Sequence, residues 1–468
     1  MNNLRQNLFL LFLLLFSIQT AYAETKLASL IQDHMVLQRE SEVLLWGWDT
    51  PGQKIKVTTS WSKDLQTITN NEGKWKIILR TPKAGGPYKL HIKGSSSHDI
   101  TDILMGDVWV CSGQSNMYMP IKGYRCQPVE GSNDMILSAN NDNIRFFKVG
   151  IKLSAKPLNK VKGEWKVSSI QNAPDFSAVA YNFAQEIQKS TGVPVGIIST
   201  SRGASTIEAW MDPTSLKLFN GIPIPTKVPE NNGHKTATLL FNGMINPITN
   251  YKAKGFLWYQ GEANCFNPEN YARLSQAMIG RWRQLWGDAK MPFYFVQIAP
   301  YNYKGRKASE LKEQQNKVLD LVENTGMAVT LDVGSYSCIH PQKKQIVGKR
   351  LAYLALNKTY GYKTISCDPP MLDHAEGLGS TSVKVYLKNT ANGLTTFDQK
   401  LLGFEVADSD KKFHFAVARI NRKDNSITVE CSKVKSIQSV RYAFKDYIPA
   451  TLYNTAGIPA TCFRTDNW

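Results

Sequence analysis

The chain has 468 residues, of which 42% are hydrophobic and 10% are aromatic. This length predicts two or three domains, and the apolar content excludes a mainly disordered chain. The net charge is +18, but the Lys and Arg residues are scattered and never form a run of five or six, so the pattern favours a generally basic surface over a nucleic-acid interface. Such a surface would also suit an anionic glycan.

Residues 1–23 have the features of a secretory signal peptide. One positive charge precedes an apolar run from Leu8 to Ile18, and Ala21-Tyr22-Ala23 has the small-residue spacing of a cleavage site. We expect cleavage after Ala23 and an exported product, periplasmic or extracellular, with no membrane association once the signal is removed. The run is short for a bilayer span, although an uncleaved anchor is the alternative.

The cysteine content permits disulfides in an exported chain, but the odd number leaves at least one thiol free. The cysteines are sparse and no CxxC pair occurs, so we expect no structural zinc. We also expect no cofactor. The seven cysteines are Cys111, Cys126, Cys265, Cys338, Cys367, Cys431 and Cys462.

Residues 24–104 are predicted to form an N-terminal β domain. Apolar and polar residues alternate with a period of two in "EVLLWGW", "QKIKVTTSW", "KWKIILR" and "YKLHIKG". Gly, Pro and Asn in "DTPG", "NNEG" and "KAGGP" separate these segments at turn spacing. Nothing in this part indicates catalysis.

Residues 105–360 change to a strand, turn and helix pattern. Strands are predicted in "DVWVCSG", "VPVGIIST", "AKGFLWYQ", "MPFYFVQIAP" and "GMAVTLDVG", and helices in "AVAYNFAQEIQKSTG", "NYARLSQAMIGRWRQLW" and "PQKKQIVGKRLAYLALNKTYG". This alternation predicts an α/β fold, with a parallel sheet covered by helices on both faces. The ligand site of such a sheet lies beyond the carboxyl ends of its strands.

Two further regions complete the predicted organisation. Residues 361–468 return to β patterning in "VKVYLKN", "LLGFEVA", "HFAVARIN", "SITVECSKV" and "VRYAFKD", which predicts a C-terminal β-rich segment. Ile121 to Lys166 is rich in Asn, Gly and Lys without periodicity. We expect it to be a long loop over the sheet, where substrate contacts gather.

Polar residues follow four of the predicted core strands. Ser115 lies in "SGQSNM" and Gly203 in "STSRGAS". Three more, Gln260, Glu262 and Asn264, lie in "WYQGEAN". The last set, Asp332 and His340, lies in "DVGSYSCIHP", with His340 directly before a helix that Pro341 is expected to start.

These residues are the parts of an acyl-transfer site. A serine hydroxyl becomes a nucleophile when an imidazole takes its proton, and the tetrahedral intermediate needs donors for its oxyanion. Ser115 would be the nucleophile and His340 the base. The donors would be the backbone N–H groups of Ser115 and Gly203 and the side-chain amide of Gln260. Taken alone, Ser115 is more often an ordinary turn residue, and His340 is equally plausible as the residue before a first-turn proline. The four blocks together favour catalysis.

The same blocks carry a family resemblance. "VWVCSGQSNM", "WYQGEAN", "IHPQKKQIVGKRLA" and "STSRGASTIEAWM" resemble the sialate O-acetylesterase family of SGNH-type serine hydrolases. The resemblance extends to "HMVLQRESEVLLWGWDTPG" near the start and "LYNTAGIPATCFRTDNW" at the end. It implies a flavodoxin-like SGNH hydrolase core flanked by antiparallel β-rich segments, without a metal.

The resemblance carries the nucleophile to Ser115, the base to His340 and the oxyanion positions to Gly203 and Gln260. The acid partner does not carry over, because Tyr336, Ser337 and Cys338 stand where these hydrolases place an Asp. Three explanations stay open. A Ser-His dyad operates with a backbone carbonyl orienting the ring, Asp332 or Glu262 supplies the acid from another direction, or the protein is a weakened or inactive relative.

The implied reaction is removal of O-acetyl groups from sialic acids through an acetyl-enzyme. Arg202, beside Gly203, is a candidate to bind the sugar carboxylate in a bidentate pair, and Asn116 and Asn264 are further candidates for substrate contacts. An acetylxylan or other plant-glycan acetylesterase is the alternative activity. A catalytically weak glycan-binding protein is the alternative class.

Overall fold

The structure is a computed structural model that describes residues 24–468. The predicted signal peptide, residues 1–23, lies outside the described residues and stays a prediction. In the part that the structure describes, no helix is long and apolar enough to cross a membrane. All seven cysteines lie in this part as free thiols, so the disulfides that export would permit do not form.

The first part of the described chain is built of strands, as predicted. They are β1 (Lys26–Leu27), β2 (Val36–Gln38), β3 (Glu42–Trp48), β4 (Lys54–Thr59), β5 (Leu65–Ile68), β6 (Lys74–Arg80), β7 (Gly85–Lys93) and β8 (Ser97–Gly113). Strands β1, β3 and β6 form an antiparallel sheet in the order β1-β3-β6, while β5, β4, β7 and β8 pair in succession.

The middle of the chain alternates strands and helices. The strands are β9 (Asn141–Lys148), β10 (Trp165–Ser168), β11 (Val195–Ser201), β12 (Gly255–Tyr259), β13 (Phe293–Val296) and β14 (Thr325–Ala328). The α-helices are α1 (Ser115–Tyr118), α2 (Ser132–Leu137), α3 (Ala178–Thr191), α4 (Pro213–Leu216), α5 (Tyr271–Leu285), α6 (Ala308–Leu321) and α7 (Lys344–Lys358). Short 3₁₀ turns span Ala173–Asp175, Ile207–Trp210, Gly233–Lys235, Asn246–Ile248 and Glu262–Asn264, and a π-helical turn spans Phe241–Ile245.

These strands form a mixed sheet in the order β10-β9-β11-β8-β12-β13-β14. All neighbours are parallel except β10, which runs antiparallel to β9 at the edge. The five strands β11-β8-β12-β13-β14 have the chain order 2-1-3-4-5, which is the flavodoxin-like arrangement. The α/β prediction is confirmed, in the form of a mixed sheet.

Helices cover both faces of this sheet, as the pattern predicted. Trp109 and Leu257 face a buried apolar cluster that includes Phe183 of α3 and Leu351 of α7. Alternate strand residues such as Phe256 belong to a second cluster, which extends into α5 on the opposite face. Successive side chains of a strand point to opposite faces of the sheet, and both faces are covered here. The same buried strands therefore contribute to both clusters.

Helix α3 shows why the helical segments begin and end where they do. The Ser177 side chain accepts the N–H of Ala180 at 3.2 Å and caps the first turn. Gly192 ends the helix with φ +71°, a left-handed conformation that favours glycine.

Strand β8 joins the N-terminal sheets to the core. Its first half pairs with β7, and residues from Asp107 onward pair with β11. The domain boundary predicted between residues 104 and 105 therefore falls inside one continuous strand.

Two features differ from the sequence-based expectations. The segment from Ile121 to Lys166 is not a loop throughout, since it contains α2, β9 and the start of β10. Helix α6 was not predicted, because its buried face includes the polar residues Lys312 and Gln315 beside Leu311, which weakens the apolar period. The Gln315 amide fastens α6 to the sheet by accepting the N–H of Ile298 at 2.9 Å.

The C-terminal part is antiparallel β structure, as predicted. Its strands are β15 (Met371–Glu376), β16 (Ser382–Lys388), β17 (Leu394–Thr395), β18 (Phe404–Ala407), β19 (His414–Phe415), β20 (Val417–Asn421), β21 (Ser426–Glu430), β22 (Ser439–Tyr442), β23 (Tyr453–Asn454) and β24 (Phe463–Arg464). It is attached to the core through α6, where Arg464 forms a bidentate ion pair with Glu313 at 2.9 and 3.0 Å.

Candidate active site

Three neighbouring strands end at the same level of the sheet. Gly113, the last residue of β8, lies beside Ser201 of β11 and Tyr259 of β12 in the strand register. Since the three strands are parallel, the residues that follow them leave the same edge of the sheet. This brings Ser115 after β8 and Gly203 after β11 to one place.

Gly113 makes the tight exit from β8 possible. Its φ is +135°, and a Cβ atom built on it would lie 2.1 Å from the carbonyl oxygen of Tyr259. No other residue fits this position without moving a strand.

A cavity of about 610 Å³ opens at this edge, and we call it the carboxyl-edge cavity. Five residues predicted from the sequence line it, which are Ser115, Arg202, Gly203, Glu262 and His340. The remaining lining residues are Gln114, Tyr118, Tyr124, Ile151, Ala204, Lys235, Ala263, Phe266, Arg306 and Ile339.

Ser115 is partly exposed to the cavity between two buried neighbours. Its hydroxyl makes no hydrogen bond with residues 24–468, and neither its backbone N–H nor that of Gly203 has an acceptor there. A Cβ built on Gly203 would lie 3.5 Å from the Ser115 Cβ, so the two backbones are close neighbours. Two unused donors beside a hydroxyl are what an oxyanion site requires.

His340 is oriented by Gln127 instead of an acid. Its Nδ1 lies 2.5 Å from Oε1 of Gln127. The Cys338 sulfur lies 3.3 Å from the His340 carbonyl oxygen and 3.7 Å from the same Gln127 oxygen. An amide oxygen only accepts, so Nδ1 carries the proton and Nε2 keeps its lone pair.

The surroundings keep His340 neutral. Burial, together with the nearby Lys344 ammonium, lowers the pKa of His340 from 6.5 to about 4. The ring of Tyr124 packs edge-on against the imidazole with the centroids 5.1 Å apart, and its hydroxyl donates to the Ser115 carbonyl at 2.9 Å. The imidazole is therefore an unprotonated base at neutral pH, held from two sides.

Gln260 does not line the carboxyl-edge cavity. Its amide nitrogen donates to the Ser205 carbonyl at 3.0 Å and to Asn264 Oδ1 at 2.8 Å, and its oxygen accepts the Tyr271 hydroxyl at 2.9 Å. Asn264 is buried too, where it donates to Glu208 at 3.1 Å. Both amide hydrogens of Gln260 are thus already engaged, so the structure does not support its predicted oxyanion role, nor a substrate contact for Asn264.

Gln114, unlike Gln260, has its side-chain amide at the carboxyl-edge cavity. Its oxygen accepts the backbone N–H groups of Gly261 at 3.3 Å and Ala263 at 3.4 Å. Its nitrogen has no acceptor in residues 24–468, and the residue lines the cavity directly before Ser115. The position of Gln114 inside the serine motif was the available sequence signal.

Asn116 lies under the cavity and is completely buried. It accepts from the Lys344 ammonium and donates to Glu262, both at 2.5 Å. Burial raises the pKa of Glu262 and lowers that of Lys344 to about 7. Asn116 therefore links two buried ionisable groups, and the structure does not support its predicted contact with substrate.

Neither predicted acid contacts His340. Asp332 forms a bidentate ion pair with Arg350, with both distances 2.7 Å. Glu262 bonds to Asn116 as described above. Asp332 is thus part of the scaffold behind the site, and helix α7, which supplies Arg350, begins at Lys344 and not at Pro341.

We expect the substitution Asp332→Asn to reduce stability without changing the pH dependence of activity. The Arg350 guanidinium is 6% exposed and would lose its counter-charge. Because an unpaired buried charge is unfavourable, we expect the free energy of unfolding to fall by about 3 kcal/mol. Urea unfolding and the kcat/KM profile of the folded variant measure the two quantities. Asp320→Asn, at an exposed position without an ion pair, is the control. If the low-pH side of the kcat/KM profile shifted in Asp332→Asn, Asp332 would instead be the acid partner of His340.

The sequence analysis missed Gln127, Tyr124 and Ile151, which all come from the segment between Ile121 and Lys166. That segment was correctly expected to supply site contacts, but no motif distinguishes Gln127 within it. In the described part of the chain, no group of three or more His, Cys, Asp or Glu side chains could hold a metal ion.

Comparison with known proteins shows similarity to carbohydrate esterases over most of the chain. The model of the family described as "Carbohydrate esterase, sialic acid-specific acetylesterase" matches residues 105–357. Sialate O-acetylesterases from Rattus norvegicus and Homo sapiens are 28% and 27% identical, over 94% and 96% of this chain and 94% of each relative. A crystal structure of a carbohydrate acetylesterase from Xanthomonas citri is 35% identical with a TM-score of 0.87, over 95% of this chain and 100% of that one.

The α/β fold, the cavity and these likenesses together define a carboxylic ester hydrolase. The chain belongs to the family of carbohydrate esterases described as sialic acid-specific acetylesterases, since the family model covers more than half of it.

Proposed function

We propose that this protein removes O-acetyl groups from sialic acids, with Ser115 as nucleophile and His340 as general base in an SGNH-type core. The observation that carries the proposal is one cavity lined by Ser115, a neutral His340 and the N–H groups without acceptors. The relatives named sialate O-acetylesterase support the substrate. The strand order 2-1-3-4-5 supports the SGNH core.

The first step forms an acetyl-enzyme. Nε2 of His340 takes the hydroxyl proton while Oγ of Ser115 bonds to the acetyl carbon. The carbonyl electron pair moves onto oxygen, which accepts the N–H groups of Ser115 and Gly203 and the amide of Gln114. The bond to the sugar oxygen then breaks, and that oxygen takes the proton from His340.

The second step repeats this sequence with water. His340 takes a proton from water, whose oxygen bonds to the acetyl carbon, and returns that proton to Oγ as acetate leaves. In both steps Gln127 holds Nδ1–H and so keeps Nε2 directed to the reaction. It orients the ring without supplying a negative charge.

Three cations in the carboxyl-edge cavity support a substrate that carries a carboxylate. Arg202, Lys235 and Arg306 line it, and none forms an ion pair with the described residues. The one lining acid, Glu262, is 3% exposed and already bonded. Arg306 also lies 4.2 Å from the ring centre of Phe266, an exposed aromatic side chain on the same cavity. The resulting positive field favours acidic over neutral sugars.

Acetate release tests this proposal directly. O-acetylated sialic acid, acetylated xylan and a small activated acetate ester are compared at equal acetyl concentration. We expect the highest kcat/KM with the sialic acid. A preference for xylan would replace the proposed substrate with the plant-glycan alternative, and no turnover of any ester would contradict catalysis and favour glycan binding alone.

The substitution Arg306→Gln is expected to raise KM for O-acetylated sialic acid about tenfold, because one charged contact with the carboxylate is lost. The KM for acetylated xylan, which offers no such contact, should stay unchanged. Arg273→Gln is the matched control, since Arg273 is also exposed and packs over Phe219 at 5.7 Å outside the cavity. Equal effects on the two substrates would contradict a carboxylate contact.

The substitution Gly203→Ala is expected to lower kcat/KM about tenfold or more while the fold is kept. The new methyl group would lie 3.5 Å from the Ser115 Cβ, in the space that the reacting carbonyl must enter. The measurement is hydrolysis of the small ester together with thermal unfolding. Full activity of Gly203→Ala would mean that the oxyanion binds away from the Gly203 N–H.

Export is the remaining part of the proposal, supported by the sequence of residues 1–23. Amino-terminal sequencing of the protein recovered outside the cytoplasm should give a chain that starts at Glu24. Retention of residues 1–23 on a membrane fraction would favour the uncleaved anchor.

A further inference from the structure

A second cavity, of about 690 Å³, lies between the N-terminal strands and the residues that precede β12, and so on the amino-terminal side of that strand. Asn246 and Asn250 line it and come before β12, whereas Glu262 of the carboxyl-edge cavity comes after that strand. The other side of the cavity is formed by β3, β5 and β6. We call it the amino-edge cavity, and it shares no lining residue with the carboxyl-edge cavity.

Tryptophan side chains distinguish the amino-edge cavity. Seven of the eleven tryptophans donate their indole N–H to a protein acceptor. Trp46 and Trp48 are two of the four that have no acceptor in residues 24–468, and both line this cavity from the same face of β3. Trp75 is opposite Gly47 in the strand register, so its indole lies on the other face of this sheet, where its nitrogen is buried without a partner among the described residues. The indole N–H groups of Trp46 and Trp48 are therefore two donors that a ligand in the cavity can use.

The polar lining consists of amides, hydroxyls and lysines. The side chains of Asn159 and Asn250 make no hydrogen bond with the described residues, which leaves both a donor and an acceptor available on each. No Asp or Glu among the described residues lines the cavity. Its volume and its mixture of aromatic surface with a few polar groups are typical of ligand sites.

This chemistry matches a sugar ring. A pyranose has an apolar face of C–H groups that packs on an aromatic ring, and hydroxyls that bond to amides and indole N–H groups. We propose that the amino-edge cavity is an oligosaccharide-binding site, separate from the esterase site. It does not rest on the proposed function, since none of its residues takes part in ester hydrolysis.

One chain segment passes between the two cavities. Ile151 lines the carboxyl-edge cavity, and Asn159 of the same segment lines the amino-edge cavity. Under the proposed function, a glycan held at the amino-edge cavity is bound on the same molecule that deacetylates it. Binding there raises the local concentration of acetyl groups on a polymeric substrate.

The test measures the binding of two probes by calorimetry. Xylohexaose is the neutral saccharide, and α2,8-linked tetrasialic acid is the anionic one. The protein is compared with Trp48→Ala, which removes a half-buried wall of the cavity. Trp61→Ala is the matched control, since Trp61 is half-buried in the same domain, outside the cavity, and bonds to the Arg80 carbonyl. Ser115→Ala separates this site from the carboxyl-edge cavity.

We expect at least one probe to bind, with affinity reduced about tenfold or more in Trp48→Ala and unchanged in Trp61→Ala and Ser115→Ala. Hydrolysis of a small acetate ester should be equal in Trp48→Ala and the unmodified protein. The double variant Asn159→Ala/Asn250→Ala, at two exposed positions, gives the same loss if Trp48→Ala does not fold. Binding of neither probe, binding that both lining variants leave unchanged, or binding that Ser115→Ala abolishes would overturn the proposal.

Discussion

Replacing Ser115 with alanine is expected to lower kcat/KM for O-acetylated sialic acid by about 10⁴-fold or more, with the fold unchanged. In the proposed mechanism, the oxygen of this hydroxyl bonds to the acetyl carbon, and alanine has no atom that can do so. Because Ser115 makes no side-chain hydrogen bond with the described residues, its removal leaves no buried group unpaired. The thermal midpoint should therefore stay within a degree or two.

Two controls sharpen this result. Ser409→Ala, at an exposed position of the C-terminal part, should have full activity. His340→Ala should be about as inactive as Ser115→Ala, and the double variant no worse than either, because a nucleophile and its base act as one unit. Additive losses in the double variant would contradict the Ser-His pair, and substantial activity in Ser115→Ala would exclude Ser115 as nucleophile.

Replacing Gln127 is expected to have the next largest effect and to change the pH profile in a defined direction. Gln127→Ala removes the acceptor of Nδ1–H, so the ring loses its orientation and kcat falls about 10²-fold with little change in KM. Gln127→Glu keeps the acceptor but adds a negative charge, which stabilises the protonated imidazole and raises the pKa of His340.

The sign of the pH effect follows from the state that the base must have. In the unmodified protein, kcat/KM falls as pH drops through the pKa of His340, which burial places at about 4. In Gln127→Glu this acid limb should move to higher pH by about one unit or more. Gln342→Ala is the control, since Gln342 is exposed two residues from His340. An unmoved limb in Gln127→Glu would mean that Gln127 does not contact the catalytic base.

The buried cluster behind the site bears on the same profile. Lys344 lies under the cavity with its pKa lowered to about 7, and its charge is one cause of the low pKa of His340. A neutral glutamine beside the imidazole fits this arrangement, because no carboxylate among residues 24–468 bonds to His340 and stabilises its protonated form. The imidazole is consequently kept ready to accept a proton even in mildly acidic surroundings.

The sequence was informative wherever structure follows from local periodicity. Strands β8, β11 and β12 and helices α3 and α5 were predicted, since alternation and helical spacing are read within one segment. Ser115 and Gly203 could be placed at one edge because parallel strands all end on the same side. Helix α6 was missed where Lys312 and Gln315 occupy a buried face.

Long-range packing decided the parts that the sequence left open. Gln127 meets His340 only because the chain around it is fixed by distant contacts, such as the Glu130 N–H donating to the Gln342 carbonyl at 3.0 Å. The ion pair of Asp332 with Arg350 likewise depends on how α7 packs against the end of β14. Neither arrangement has a signature at fixed spacing along the chain.

The sequence by itself thus determined the α/β core, the family resemblance and the candidate pair Ser115 and His340, because motifs at strand ends are local patterns. The tertiary structure alone decided that Gln127 bonds to the imidazole, that Gln114 and not Gln260 lines the cavity beside Ser115, and that Asn116 joins Lys344 to Glu262. Hydrogen-bond partners in a buried site are chosen by geometry in three dimensions, and that geometry is set by the packing of segments far apart in the chain.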